Sequence, residues 1–82
     1  MAYYTQDQLS QLGFKSLGKN LKISDKASIY DYSNIEIGDN SRIDDFCVVS
    51  GNVKIGNNVH ITPMCLIAGG VEGIILVDFV TI

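Results

Sequence analysis

The chain has 82 residues, 46% of them apolar, with six basic and nine acidic side chains for a formal charge of −3. That length allows one small domain at most, and a domain so short buries only roughly 60 to 65% of its unfolded surface, so a solitary monomer is marginal and partners or further chain are expected. Lys and Arg are scattered singly, leaving no basic stripe for a phosphate backbone; this argues against nucleic acid and against an anionic membrane surface as the main partner.

No apolar run approaches the ~18 to 20 residues of a spanning helix, so membrane insertion is not expected. The opening Met-Ala-Tyr-Tyr-Thr-Gln-Asp has neither the basic start nor the apolar stretch of a secretory signal, which makes the cytoplasm the expected compartment. Two cysteines do not make a disulfide framework.

The first predicted element is a short helix. Thr5-Gln-Asp-Gln8 reads as a capping box, so the helix should start at Gln6. Tyr4 and Leu9 form a hydrophobic staple across the cap, Asp7 complements the helix dipole, and Gly13 supplies a left-handed stop. Leu9 and Leu12, three apart on one face, suit the helix to docking as a lid on the end of the domain.

Beyond the helix the chain repeats itself. Ile35-Glu-Ile-Gly-Asp-Asn-Ser-Arg-Ile43 matches Val53-Lys-Ile-Gly-Asn-Asn-Val-His-Ile61 at an offset of 18, with a third copy at Ile74 to Ile82, 21 further on, and a partial one at Leu17 to Ile23. Within the unit, Ile37, Ile43, Val49, Ile55, Ile61 and Ile67 recur at intervals of six, after an earlier run of Ile23, Ile29 and Ile35. Four places after each anchor stands a small residue: Ala27, Ser33, Ser41, Cys47, Val53, Val59, Cys65 and Val71. A 3.6-residue period cannot generate a strict six, whereas short strands joined by tight corners can. Three sixes close one turn of a triangular coil, which stacks Ile37 on Ile55 and Ile43 on Ile61 at the ~4.8 Å spacing of paired strands. Gly, Asn and Asp between the anchors suit corners that need positive φ. The two-residue slip at Ile35 and Ile37 and the extra residues from Ala68 to Gly73 read as corners that bulge outward.

The segments Ile37-Gly-Asp-Asn-Ser-Arg, Ile55-Gly-Asn-Asn-Val-His and Ile61-Thr-Pro-Met-Cys-Leu resemble the hexapeptide repeat of left-handed parallel β-helix acyltransferases. The likeness runs from Leu17 to Ile82 and is strongest toward sugar O-acetyltransferases of the galactoside O-acetyltransferase kind. The fold it implies is an all-β solenoid, a left-handed parallel β-helix of about three and a half triangular coils after a short N-terminal α-helix. Residues 1–16 form the capping helix and lead-in, and residues 17–82 the repeat. The left hand comes from the resemblance alone, since periodicity carries no hand. The resemblance further implies a homotrimer with active sites in the clefts between subunits. There an acetyl or similar group would pass from acetyl-CoA or another acyl-coenzyme A to a hydroxyl or amine of a sugar or sugar nucleotide, with a histidine as general base.

His60 is the chain's single histidine, but it occupies the hexapeptide place of Lys22, Arg42 and Thr81, which are outward polar positions. The general base of the resembled enzymes follows a loop further along, so it is expected beyond Ile82. Asp44-Asp45-Phe46 is the better candidate surface, because the resembled enzymes place an Asn before an aromatic in a comparable position against the acceptor. On that likeness Asp45, with Asp44, is the candidate substrate-binding residue, although Asp stands where the pattern has Asn. No coenzyme-binding residue is assigned within the chain.

Other chemistries fit less well. Cys47 and Cys65 stack in the small slot, within reach of a disulfide, but are expected as buried thiols. A three-histidine zinc site cannot be assembled from one histidine, so no metal site is expected. Gly69-Gly-Val-Glu-Gly73 lacks the ending of a phosphate loop, and Thr5, Thr62 and Thr81 are too few for an ice-binding face. Because the sequence stops inside a repeat unit and solenoids need capped ends, it reads as the amino-terminal part of an acyltransferase, incomplete at its C-terminal end. The competing reading is a non-catalytic β-helix serving as a trimerisation or interaction scaffold.

Overall fold

The structure is a computed structural model and describes residues 2–82. Ten short strands wind as a parallel solenoid: β1 (Ser16–Leu17), β2 (Lys22–Ile23), β3 (Ser28–Ile29), β4 (Ile35–Ile37), β5 (Arg42–Ile43), β6 (Val48–Ser50), β7 (Val53–Ile55), β8 (His60–Ile61), β9 (Leu66–Ala68) and β10 (Ile74–Leu76). They stack into three sheets ordered β1-β4-β7-β10, β2-β5-β8 and β3-β6-β9, so the chain makes about three turns around a triangular core. The β-helix expected from the repeat is borne out.

Register follows the anchors. Ile37 pairs with Ile55, Ile43 with Ile61 and Val49 with Ile67, each 18 residues apart, while Ile23 pairs with Ile43 and Ile29 with Val49 across 20. Each anchor is two residues from the next inward residue of its strand or one from a corner, so its side chain falls on the same side in every turn. The resulting stack, with Ile23, Ile35, Ile43, Ile55, Val59 and Ile61 all buried, fills the prism.

Each corner is a column of residues in the left-handed region. Asn20, Asn40 and Asn58 share φ between +55° and +58° at the corner leading into β2, β5 and β8, with Phe79 above them at +62°. Asp31, Gly51 and Gly70 form the column at the corner after the third sheet, and Phe46 and Met64, at +61° and +63°, the one between. Asn and Asp tolerate this region because their short polar side chains bond locally.

The Gly-Asx pair before the first column is explained by stacking. A Cβ on Gly38 would lie 2.7 Å from the carbonyl carbon of Gly56 in the next turn, so only glycine lets the coils approach. The following Asx then reaches back across the turn: Lys19 N–H donates to Asp39 Oδ1 at 2.8 Å, Asp39 N–H to Asn57 Oδ1 at 2.7 Å and Asn57 N–H to Asp78 Oδ1 at 2.8 Å. Inside the prism the Ser41 hydroxyl donates to Gly56 O at 2.7 Å and accepts from Val59 N–H at 3.2 Å.

The amino-terminal helix α1 (Gln6–Gln11) carries the full capping box between Thr5 and Gln8, and Gly13 follows it at φ +92°. Leu9 is completely buried in the core cluster. Ahead of the helix, Tyr3 makes an antiparallel bridge to Ser24 and Tyr4 N–H donates to Ile23 O at 2.9 Å, so this segment covers the free edge of β2.

Two expectations need correction. Ile35 and Ile37 are not an outward bulge: both are buried within β4, and the extra residues are taken up just before it by a 3-10 turn, Tyr32–Asn34, entered through left-handed Asp31. The turn is held by Tyr32, whose ring meets Phe14 edge-on at 4.9 Å between centroids. The small slot also fails at two of its eight positions. Ser33 lies on that turn and Val71 in the loop before β10, and both are exposed because a corner with added residues lifts position i+4 away from the axis.

Candidate functional site

The outward face of the second sheet brings together side chains far apart in sequence. Parallel pairing sets Lys22 beside Arg42 and Arg42 beside His60, and an isolated bridge adds Thr81 beside His60. With the Asn20, Asn40 and Asn58 column, Lys22, Arg42 and His60 rim a shallow recess of about 370 Å³.

Asp44 organises this face. It follows β5 where the chain turns inward, and its side chain is only 3% exposed. Arg42 Nε–H donates to one carboxylate oxygen at 2.7 Å, and His60 Nε2–H, from the next turn, donates to the other at 2.7 Å. Burial pushes the Asp44 carboxyl up, but the hydrogen bonds and charges of His60 and Arg42 outweigh it and hold the group below its usual range. The bond to Asp44 likewise raises the Arg42 guanidinium. Asp44 is therefore a buried anion with both oxygens occupied, not the open surface carboxylate that its neighbours in sequence suggest.

Asp45 and His60 differ from it. Asp45 is half-buried at the corner and accepts a short hydrogen bond from the buried Ser24 hydroxyl, which in turn accepts from Lys26 N–H at 3.0 Å. Beside it Phe46 is exposed, with Lys26 Nζ 5.9 Å from its ring centroid, and Met64 continues the exposed column one turn on. His60 sits at the outward place that its hexapeptide equivalents indicate, yet it is tied by its ring nitrogen to a buried carboxylate. Sequence reasoning does not single out Lys22, Arg42 and Ser24 as site residues. The signal for Lys22 and Arg42 is their shared place with His60 in the repeat, 20 and 18 residues apart, and that for Ser24 its place after an anchor, equivalent to Asp44.

Cys47 and Cys65 are both free thiols. Cys47 is fully buried, donates to Thr62 O at 3.0 Å, and has its pKa raised by burial. Cys65 is half-buried, one turn away. Among the described residues no group of three or more His, Cys, Asp or Glu side chains could hold a metal ion, and no helix is long and apolar enough to cross a membrane.

Residues 34–69 match the family of bacterial transferase hexapeptide (six repeats). The chain is a parallel β-solenoid similar to hexapeptide-repeat acyltransferases. Over 50 residues, 61% of this chain and 26% of the relative, it is 64% identical to the dTDP-4-amino-4,6-dideoxy-D-glucose acyltransferase of Escherichia coli. It superposes with a TM-score of 0.95 on AntD, an N-acyltransferase from Bacillus cereus crystallised with dTDP and 3-hydroxybutyryl-CoA, at 49% identity over 96% of this chain and 42% of that one. A mutant of AntD in complex with dTDP-4-amino-4,6-dideoxyglucose and coenzyme A superposes at 0.84, with 50% identity over 85% of this chain and 38% of that one. The chain thus spans about a quarter of the curated relative and two fifths of the solved ones. The resemblance to hexapeptide acyltransferases is borne out, and the relatives matched here include N-acyltransferases.

Proposed function

We propose that the chain is part of an acyltransferase that moves an acyl group from acyl-coenzyme A to the amino group of a nucleotide-linked amino sugar. The observation that carries this reading is 49% identity over 96% of the chain to AntD, bound to dTDP and an acyl-coenzyme A. The amine of the acceptor, rather than a hydroxyl, is favoured because AntD is an N-acyltransferase and its mutant was crystallised with an amino sugar nucleotide.

In such a reaction the neutral amine attacks the thioester carbonyl, the coenzyme leaves as its thiol, and one proton must leave the nitrogen. Within residues 2–82 Asp44 does not suit that last task, since both its carboxylate oxygens are engaged, by Arg42 and by His60. His60, with Nε2 on Asp44, keeps Nδ1 as an acceptor, but it occupies the same outward place as Lys22 and Arg42 in the repeat, and we assign the base to other coils of the enzyme. In this reading Asp45, half-buried beside the exposed ring of Phe46, meets the acceptor, and the buried Asp44 supports the face from beneath. A homotrimer with sites between subunits matches the hexapeptide architecture and the marginal core of one chain. A cytoplasmic setting suits donors and acceptors of this kind.

The test is turnover by the full-length protein. Incubated with dTDP-4-amino-4,6-dideoxyglucose and acetyl- or 3-hydroxybutyryl-CoA, it should release free coenzyme thiol and yield an amide product by mass spectrometry. Sedimentation should give three chains per particle. Absence of amide with every amino sugar nucleotide and acyl donor tried would overturn the enzyme reading in favour of a binding scaffold.

A further inference from the structure

We propose that the Lys22-Arg42-His60 column is a binding site for a phosphate or diphosphate group. The inference rests on the proposed reaction only for which nucleotide carries that group.

The chain has six basic side chains against nine acidic ones, yet two of the six and the only histidine lie in direct register on one sheet face. Like charges placed opposite one another on paired strands repel, so the column works against the sheet unless an anion lies over it. Asp44 meets only part of this need. It sits beneath the face and takes Nε of Arg42 and Nε2 of His60, and among the described residues no acid pairs with Lys22.

The same bonds fix what is left over. With Nε anchored at 2.7 Å on a buried carboxylate, the guanidinium plane is set and its two terminal amino groups remain for a ligand. A fixed guanidinium beside a flexible ammonium is a pairing that suits tetrahedral oxyanions, the one supplying directed donors and the other a mobile point charge. The recess they rim, about 370 Å³ with three asparagine side chains along its edge, is ample for a diphosphate. The scattered lysines and arginines of the sequence thus become an anion site only through coiling.

Both nucleotide substrates of the proposed reaction carry such groups, so the experiment must separate them. Binding of thymidine diphosphate, coenzyme A and inorganic pyrophosphate to the full-length protein would be measured by calorimetry for the wild type and for Lys22→Ala, Arg42→Gln and, as a control on another face, Lys54→Ala. Charge-assisted hydrogen bonds of this kind predict a loss of about tenfold or more in affinity for pyrophosphate and for one of the two nucleotides in both column variants, with the control unchanged. The nucleotide affected identifies the bearer. Because Lys22 is exposed, its variant should fold normally and is decisive even if Arg42→Gln disturbs Asp44. Unchanged affinities in Lys22→Ala, or equal losses in Lys54→Ala, would overturn the site. Weakened pyrophosphate binding in a protein that forms no amide would uphold the site while the acyltransferase reading fails, and turnover with unaltered affinities would do the reverse.

Discussion

The carboxylate of Asp44, buried at the end of one turn, holds the ring of His60 on the next turn at 2.7 Å. This bond ties two coils together through side chains rather than backbone. An outward polar residue of a solenoid would cost less than ~0.5 kcal/mol when truncated. For His60→Ala we expect about 1 kcal/mol instead, held to that modest value because a third of the ring is in water. Asp44→Ala should cost about 1 to 3 kcal/mol, since it orphans two donors at once. Urea midpoints of the two variants against the wild type measure both, and equal, surface-like values would contradict the bonded pair.

Acid stability follows from the same residue. Its folded pKa lies below the ordinary value of about 3.9, so its contribution is present above that pH and is lost as the pH falls through the depressed folded value. Unfolding free energy measured from pH 7 downward should therefore drop below about pH 4, and Asp44→Asn should flatten part of that fall. An unaltered acid limb in Asp44→Asn would show that Asp44 does not titrate in this way.

The anchors carry the core. Ile55 and Ile61 are at most 2% exposed and stack on Ile37 and Ile43. Replacing either by Ala should cost about 2 to 5 kcal/mol, through lost burial and the cavity left in a narrow prism that cannot collapse around it. Thermal or urea unfolding decides this, and a cost under ~0.5 kcal/mol would mean the register is wrong.

The Gly-Asx ladder makes a sharper prediction about substitution. Gly38→Ala sets a methyl 2.7 Å from backbone atoms of Gly56, which cannot rotate away as a side chain could. A loss of about 1 to 3 kcal/mol is expected, as for overpacking elsewhere. Asn57→Ala removes one acceptor for Asp39 N–H and should cost about 1 kcal/mol, detectable as a lower melting temperature.

The two thiols should separate in reactivity. Cys47 is fully buried with its pKa raised, while Cys65 is half-exposed to solvent. Under native conditions a thiol reagent should label Cys65 first and Cys47 only on unfolding, because the thiolate is the reacting species and burial disfavours it. Equal rates, read by peptide mass mapping, would contradict the burial of Cys47.

How much of this was legible beforehand differs by position in the repeat. The helix at Gln6, the six-residue period, the 18-residue stacking of Ile37 on Ile55, and the use of asparagine at corners follow from local chemistry: side-chain alternation in strands, capping geometry and left-handed backbone act within a few residues. Such terms are written directly in residue order. The residue immediately after an anchor is different. Ser24, Asp44 and Thr62 share that place, yet Ser24 and Asp44 are buried and Thr62 is not, because the corner bends there and burial depends on which turn lies above. Residue order alone thus determined the coil and its register, through periodicity that any strand obeys. Only the tertiary structure decided that Asp44 would lie beneath Arg42 and His60 and that Lys22 would join them, since those contacts exist only once separate turns stack at the spacing of paired strands.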